Sequence, residues 1–448
     1  MKQTSTNTSP SVHAANIISA TILALVPFHA FLTVWGSSLF GHYTALRLWN
    51  AVLLALLTAI GVWWLVRDSP TRHWLASNRI AHIIFVYTAL TLFIGAISYL
   101  RGGVTATALA YGILVNLRYL AFFLLTWGLA RRNTWLYAHW PKLLFYPAAV
   151  VCLFAIVQYT ILPVDFLSHF GYSQYTIPPY ETINSNPEFI RVSSTLRGAN
   201  PLGAYLIIIL TGLATLVVTA RAGVRRALLI SASIAAGMAL LVSFSRSAWL
   251  GTALAIGVVV FGLLKHRLAR RKFWLISLGI VVATAVCFTA FQHNRAVQNA
   301  VFHTDDTSTI DISSNEARTS HLRAGLDDIR RHPLGGGSGS AGFASYHNAQ
   351  PKIAENYFIQ IAQEVGWIGL GLYLAILIAV AQRLWRLRYS SPLALVCFAS
   401  LVGISLAALL SHVWTDEALS FIWWGLAGVA LGTAEVAKPK SRPRMQRQ

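Results

Sequence analysis

Hydrophobic residues along this chain gather into long uninterrupted runs divided by polar stretches. The runs approach the roughly 20 residues a helix needs to cross a bilayer. Twelve can be drawn: 14–35, 45–66, 80–99, 105–129, 142–162, 200–219, 226–244, 247–264, 273–291, 356–381, 392–411 and 419–435. Backbone polar groups in lipid must be satisfied internally, which leaves helices as the natural spanning element for such runs. The expected fold is therefore an all-α polytopic membrane protein, with about 12 transmembrane helices forming a single transmembrane domain over residues 1–448. The N-terminal MKQTSTNTSPSVHAAN has one Lys, and no A-x-A-like site follows the first run, so that run is expected to be a retained span.

Two connections are long, 163–199 and 292–355, and loops above about 15 residues usually carry function or disorder. In the second, Ser313 and Glu316 match a capping box and predict a short helix to about Arg331. Leu322, Leu326 and Ile329 give it an apolar stripe. It is too short and too charged to span, so it is expected on the membrane surface or capping the bundle.

Composition agrees: 56% hydrophobic, 11% charged and a mean hydropathy of +0.57, against about a quarter charged in soluble domains. The net charge of +20 changes the picture only through its distribution. The connections after the even-numbered spans, together with the two termini, hold 23 of the 35 Lys and Arg. This places both termini in the cytoplasm by the positive-inside rule and makes membrane lipid, not nucleic acid, the partner of the excess charge. Cys152, Cys287 and Cys397 each sit inside an apolar run, as small hydrophobes do.

That bias leaves the outward-facing arginines unexplained. Arg191 stands near the entry to the sixth span, followed by GANPLGAY, where helix-start N–H groups can meet an anion. Arg246 lies in SFSRSAWLG, the tight outer connection between spans seven and eight. Arg318 has no acid at helical spacing, whereas Arg323 has Asp327 four residues on. Arg118 lies well inside a span, where an ionisable group usually faces the bundle interior. An outward Arg can simply snorkel to lipid phosphate. Arg191, Arg246 and Arg318 together suit a diphosphate, because guanidinium groups stay ionised and offer paired donors. Gly335 and Gly337, in HPLGGGSGSAGF, are candidates for an anion-binding nest, though a flexible loop also uses such glycines.

Two candidate proton acceptors lie just before the tenth span, His347 and Glu355, the latter preceding Asn356 at the helix start. Glu355 can serve as a general base or as an ordinary first-turn acid. His412, Asp416 and Glu417 fall at the last outer turn, where an acidic pair is able to orient an acceptor. Asp305-Asp306 and Asp327-Asp328 lie in no recognisable metal-ligand array. Trp63-Trp64 and Trp423-Trp424 suit interfacial belts.

RVSSTLRGANPLGAYL, SFSRSAWLG, SNEARTSHLRAGLDDIRRHPLGGGSGSAGF and ENYFIQIAQEVGWIGLGLY occur in the order expected of the O-antigen ligase / Wzy-type polymerase superfamily, which residues 110–435 resemble. The resemblance implies a metal-independent, cofactor-free inverting glycosyltransferase with a GT-C-type fold in the cytoplasmic (inner) membrane. It implies a glycan on undecaprenyl diphosphate as donor and a glycan or lipid as acceptor. Arg191, Arg246 and Arg318 match the family's functional arginines. O-antigen ligases carry His-Asn, nine residues, then G-x-x-G. Here Asn356, Gly366 and Gly369 keep the spacing, but Glu355 replaces the His, and His347-Asn348 lies upstream out of register. Polymerase-type and ligase-type roles both stay open. The alternative from another class is a transporter or flippase of lipid-linked oligosaccharide. That class favours internal repeats and charges within many spans, unlike this chain.

Overall fold

A computed structural model describes residues 9–183, 186–264, 271–272, 275, 289, 298 and 314–436. Among these, eleven helices are long and apolar enough to cross a membrane. The expected span 273–291, Cys287, Ser313 and the Asp305-Asp306 pair fall outside the described residues, apart from isolated positions within that span. The first span is α1 (Pro10–Leu25) continued through a 3-10 turn at Val26–Phe28 into α2 (His29–Phe40). After α3 (Tyr43–Arg47) come α4 (Trp49–Arg67), the short α5 (Ser69–Ser77), α6 (Arg79–Leu100), α7 (Ala106–Ala130) and α8 (Trp135–Thr160). A two-stranded antiparallel hairpin, β1 (Glu181–Ile183) and β2 (Asn186–Arg191), precedes α9 (Ala199–Thr219), α10 (Val224–Val242) and α11 (Arg246–Leu263). The chain ends with α12 (Ser314–Arg331), α13 (Tyr357–Leu387), α14 (Pro392–Leu410) and α15 (Glu417–Val436).

Helix starts follow local chemistry. Asn78 Oδ1 accepts from the Ile80 amide at 3.1 Å, Thr105 Oγ1 from the Ala108 amide at 3.1 Å, and Ser391 Oγ from the Ala394 amide at 3.2 Å. The fifth span departs from expectation. It begins at Trp135 rather than 142 and runs through Pro141 and Pro147, which a membrane bundle tolerates when neighbours satisfy the freed carbonyls.

Small residues allow close helix packing, the usual device where no hydrophobic driving force separates helix from lipid. A side chain at Gly251 would meet the Gly403 carbonyl at 2.6 Å, joining α11 to α14, and one at Gly428 would meet the Phe123 carbonyl at 2.5 Å, joining α15 to α7. Trp423 and Trp424 are buried in this core, with Trp423 Nε1 donating to the Cys397 carbonyl at 3.0 Å. The belt expectation therefore fails for that pair, because α15 is the central helix. Trp64 is buried as well, while Trp63 is exposed.

The bundle has two chemically distinct ends. One gathers Arg132 with Asp68, and Arg131 and Arg383 with Glu435 at 2.8 and 3.3 Å. The other gathers the hairpin, the α10–α11 turn, α12, residues 332–356 and the α14–α15 connection. Contacts such as the Val192 amide to the Val242 carbonyl at 3.2 Å and Asn356 Nδ2 to the Leu409 carbonyl at 2.9 Å tie them together. α12 caps this end, packing on α13. Its inward face is Gly325 and Ile329, while Leu322 and Leu326 are exposed, so the expected stripe is only partly inward. Asp327 pairs with Arg330 at 3.0 Å rather than with Arg323, and Asp328 takes Lys352 at 2.7 Å and Gln363 at 3.0 Å.

Candidate active site

The glycine-rich segment is used for packing. Gly366 has φ 67° and breaks α13. The break frees the carbonyls of Gln363 and Glu364, which accept from the amides of Gly336 at 2.7 Å and Gly337 at 2.9 Å, and Trp367 N–H donates to the Pro333 carbonyl at 3.1 Å. Gly335 N–H donates to the His332 carbonyl at 2.9 Å. The amides of Gly335 and Gly337 are thus already spent, and the anion-nest expectation gives way to splinting of a broken helix. Asn356 is similarly occupied. Its Oδ1 accepts from the Phe358 and Ile359 amides at 3.0 and 3.1 Å, and its Nδ2 donates to Leu409, so it caps α13 rather than facing a ligand.

The arginines are placed differently. Arg191 ends β2, where its Nη2 donates to Asn200 Oδ1 at 2.7 Å and its Nε to the Ser243 carbonyl at 3.2 Å. Glu181 lies opposite on the hairpin, its carboxylate 3.6 Å from Arg191 Nη1, and it also accepts from the Ala199 amide at the start of α9 at 3.3 Å. Burial pulls Arg191 below its usual range, Glu181 opposes that, and the charge of Arg318 adds to it. Phe244, at φ 48°, makes the tight turn that sets Arg246 at the first position of α11. Arg191 and Arg318 both lie within electrostatic reach of Arg246.

Arg318 projects from α12 to Glu355, with Nε 2.8 Å from Oε2, and His321 Nδ1 stands 3.8 Å from Oε1. His412, just past α14, is half-buried and lies edge-on to Phe343 with ring centroids 4.7 Å apart. Burial first, then the charge of Arg197, push its imidazole down to about 4, leaving it neutral at pH 7. Arg191, Arg246, Arg318 and Glu355 thus share one neighbourhood, although they come from four separate stretches of chain. His347 stands apart from it. Its ring lies edge-on to Tyr111, with centroids 5.7 Å apart, on the wall of a larger cavity.

Besides a hollow of about 580 Å³ between α6 and residues 328–352, two hollows adjoin the arginine neighbourhood. The smaller, about 200 Å³, is lined by Glu181 and Asn200, the partners of Arg191, and by His412. The larger, about 290 Å³, is lined by His29, Arg118, His347 and Glu417, among others. Arg197, Phe343 and Asp416 line both. Burial raises the Asp416 carboxyl above its usual value. At the floor of the larger cavity, Glu417 accepts from Asn50 at 2.6 Å and meets Arg118 and His29, each at 2.9 Å. Arg118 thereby finds the interior partner its mid-span position called for. Arg197, Glu181 and His29 carried no usable signal in the sequence, since their partners are distant along the chain.

Chemically, three guanidinium groups with one carboxylate and a neutral imidazole suit a multivalent anion beside a proton acceptor. Residues 230–374 match the family model described as O-antigen ligase, Wzy_C. Arg246, Arg318 and Glu355 fall inside that segment, and Arg191 lies before it. No curated protein matches the chain. The chain is a polytopic membrane protein whose residues 230–374 are similar to the O-antigen ligase family.

Proposed function

We propose that the protein is an inverting glycosyltransferase that moves a glycan en bloc from undecaprenyl diphosphate to an acceptor hydroxyl, at the outer face of the cytoplasmic membrane. The observation that carries this reading is the meeting of Arg191, Arg246 and Arg318 beside Glu355 at the bundle end opposite the basic connections.

In the step, the acceptor oxygen attacks the anomeric carbon from the face opposite the diphosphate. The carbon–oxygen bond to the diphosphate breaks and undecaprenyl diphosphate leaves with the electron pair. The acceptor's proton passes to Glu355. Arg191, Arg246 and Arg318 hold the diphosphate and offset the charge that grows on its leaving oxygen, the role a divalent cation fills elsewhere. Preorganised donors of this kind are worth about 3 kcal/mol each in a water-poor site.

The resting ion pairs fit this sequence of events. Arg318 is engaged by Glu355 and Arg191 by Glu181, so an arriving diphosphate displaces both carboxylates. Displacement frees Glu355 as a base only after the donor has bound. Glu355 is preferred over His347 because it sits against Arg318, whereas His347 faces the other cavity. The acceptor sets the choice between polymerase-type and ligase-type action.

The test is release of undecaprenyl diphosphate from a labelled lipid-linked glycan by the reconstituted protein. Acceptor-dependent release with inversion at the anomeric carbon is expected. Movement of the lipid-linked glycan across the bilayer with no release would replace this reading with transport.

A further inference from the structure

We infer that the larger cavity is a sugar subsite set back from the diphosphate, in which Arg197 selects the glycan residue that is accepted. The inference rests on the lipid-linked glycan reading above.

Charge comes first. The cavity is lined by three guanidinium groups, Arg47, Arg118 and Arg197, and three carboxyls, Glu364, Asp416 and Glu417. Glu417 meets Arg118 and His29, Arg47 rests on Tyr111, and Glu364 accepts from Asn116 at 2.5 Å and the Gly339 amide at 2.9 Å. A chamber already balanced in this way calls for an uncharged ligand rather than a second anion. Its unmatched groups are of another kind. Thr33 Oγ1 and Gln360 Oε1 belong to residues only 2% and 3% exposed, both line the cavity, and neither has a hydrogen-bond partner. Such groups are costly when left unmet, and a hydroxyl-rich ligand meets them. Tyrosine rings, Tyr43, Tyr111 and Tyr346, supply the apolar remainder of the wall. A volume of about 290 Å³ admits a short glycan segment and not a lipid tail.

Arg197 is the hinge of the proposal. It follows Arg191 by six residues, so it belongs to the same ordered segment that faces the diphosphate site. Its guanidinium lies 4.4 Å from the centre of the Phe343 ring, and it forms no ion pair among the described residues. Stacking fixes its plane, and its donors are left for a ligand. Because Arg197, Phe343 and Asp416 line both hollows, a glycan whose first residue occupies the smaller one reaches the larger one past Arg197.

The experiment measures binding of two lipids to the full-length protein in nanodiscs: undecaprenyl diphosphate bearing no sugar, and the same lipid bearing its glycan. Wild type is compared with Arg197→Leu and with Ala30→Trp, which fills the cavity from its wall. Loss of one charge-assisted contact in Arg197→Leu, and loss of the space itself in Ala30→Trp, each predict about tenfold or greater weakening for the glycan-bearing lipid. The sugar-free lipid should bind unchanged. Equal weakening on both lipids would instead make Arg197 part of the diphosphate grip and overturn the subsite, and no weakening on either would overturn it as well. Failure of wild type to bind either lipid would sink the underlying reading itself. If Arg197→Leu lowers the melting temperature, Arg197→Lys, which keeps the charge but loses the planar fork, is compared on the same two lipids.

Discussion

Arg318 Nε lies 2.8 Å from Glu355 Oε2, a contact across 37 residues that joins the capping helix to the start of α13. Each partner is partly exposed, so the pair adds little stability of its own. Its interest is functional, because it couples the proposed base to a proposed diphosphate ligand. Glu355→Gln removes the base and releases Arg318 together. Turnover should fall by about 10²–10⁴-fold, while undecaprenyl diphosphate binds as tightly as before or more tightly. Steady-state kinetics and direct lipid binding measured on one preparation separate the two effects. Weaker lipid binding in this variant would contradict the displacement step.

Glu181 plays the matching part at Arg191, and also sits on the first amide of α9. It fills a place that an anion at a helix N-terminus would take. Glu181→Gln should therefore tighten undecaprenyl diphosphate binding by severalfold, about the worth of one partly buried charge. A titration at fixed ionic strength reads this directly, and unchanged affinity would mean that Glu181 does not compete with the donor.

His412 supplies a pH signature. Its imidazole is held at about 4, below the ordinary 6.5, chiefly by burial and then by Arg197. A base depressed in the folded state contributes stability that is intact above pH 6.5 and lost as pH falls toward 4, because the unfolded chain binds the proton first. Thermal unfolding in detergent should weaken across that window in wild type. The His412→Asn variant should show a flatter profile there, and identical slopes would remove His412 as the cause.

The Arg118–Glu417 pair is buried in the bundle and also engages His29 and Asn50. Breaking a buried pair from one side leaves an uncompensated charge, at a cost of about 3–5 kcal/mol. Arg118→Leu should lower the melting temperature sharply, and Arg118→Leu with Glu417→Gln should recover much of the loss. A double variant as unstable as the single one would show that packing, not charge, is what Arg118 provides.

Hydropathy made the spans legible, because each helix must satisfy its backbone alone and so declares itself locally. Arg191, Arg246 and Arg318 were legible for a related reason: a charge on the outer side of the positive-inside pattern needs an explanation. What joins them was not. Glu417 is 299 residues from Arg118, and no local period relates the two. Arg197 looked like one more basic residue in its loop. Gly335 and Gly337 were misread because a glycine run serves an anion or a close-packed backbone equally well, and only the break at Gly366 decides. Asn356 likewise fell inside a motif for reasons of capping. The hairpin holding Glu181 was hidden because strands of three and six residues leave almost no pattern.

A double-mutant cycle on undecaprenyl diphosphate binding, using Arg191→Gln, Arg318→Gln and the double variant, tests most directly whether distant arginines grip one ligand. The arginines are proposed to share a single diphosphate, so the two losses should be non-additive, with a coupling above about 0.5 kcal/mol. Losses that simply add, or single variants that bind the lipid as wild type does, would contradict it.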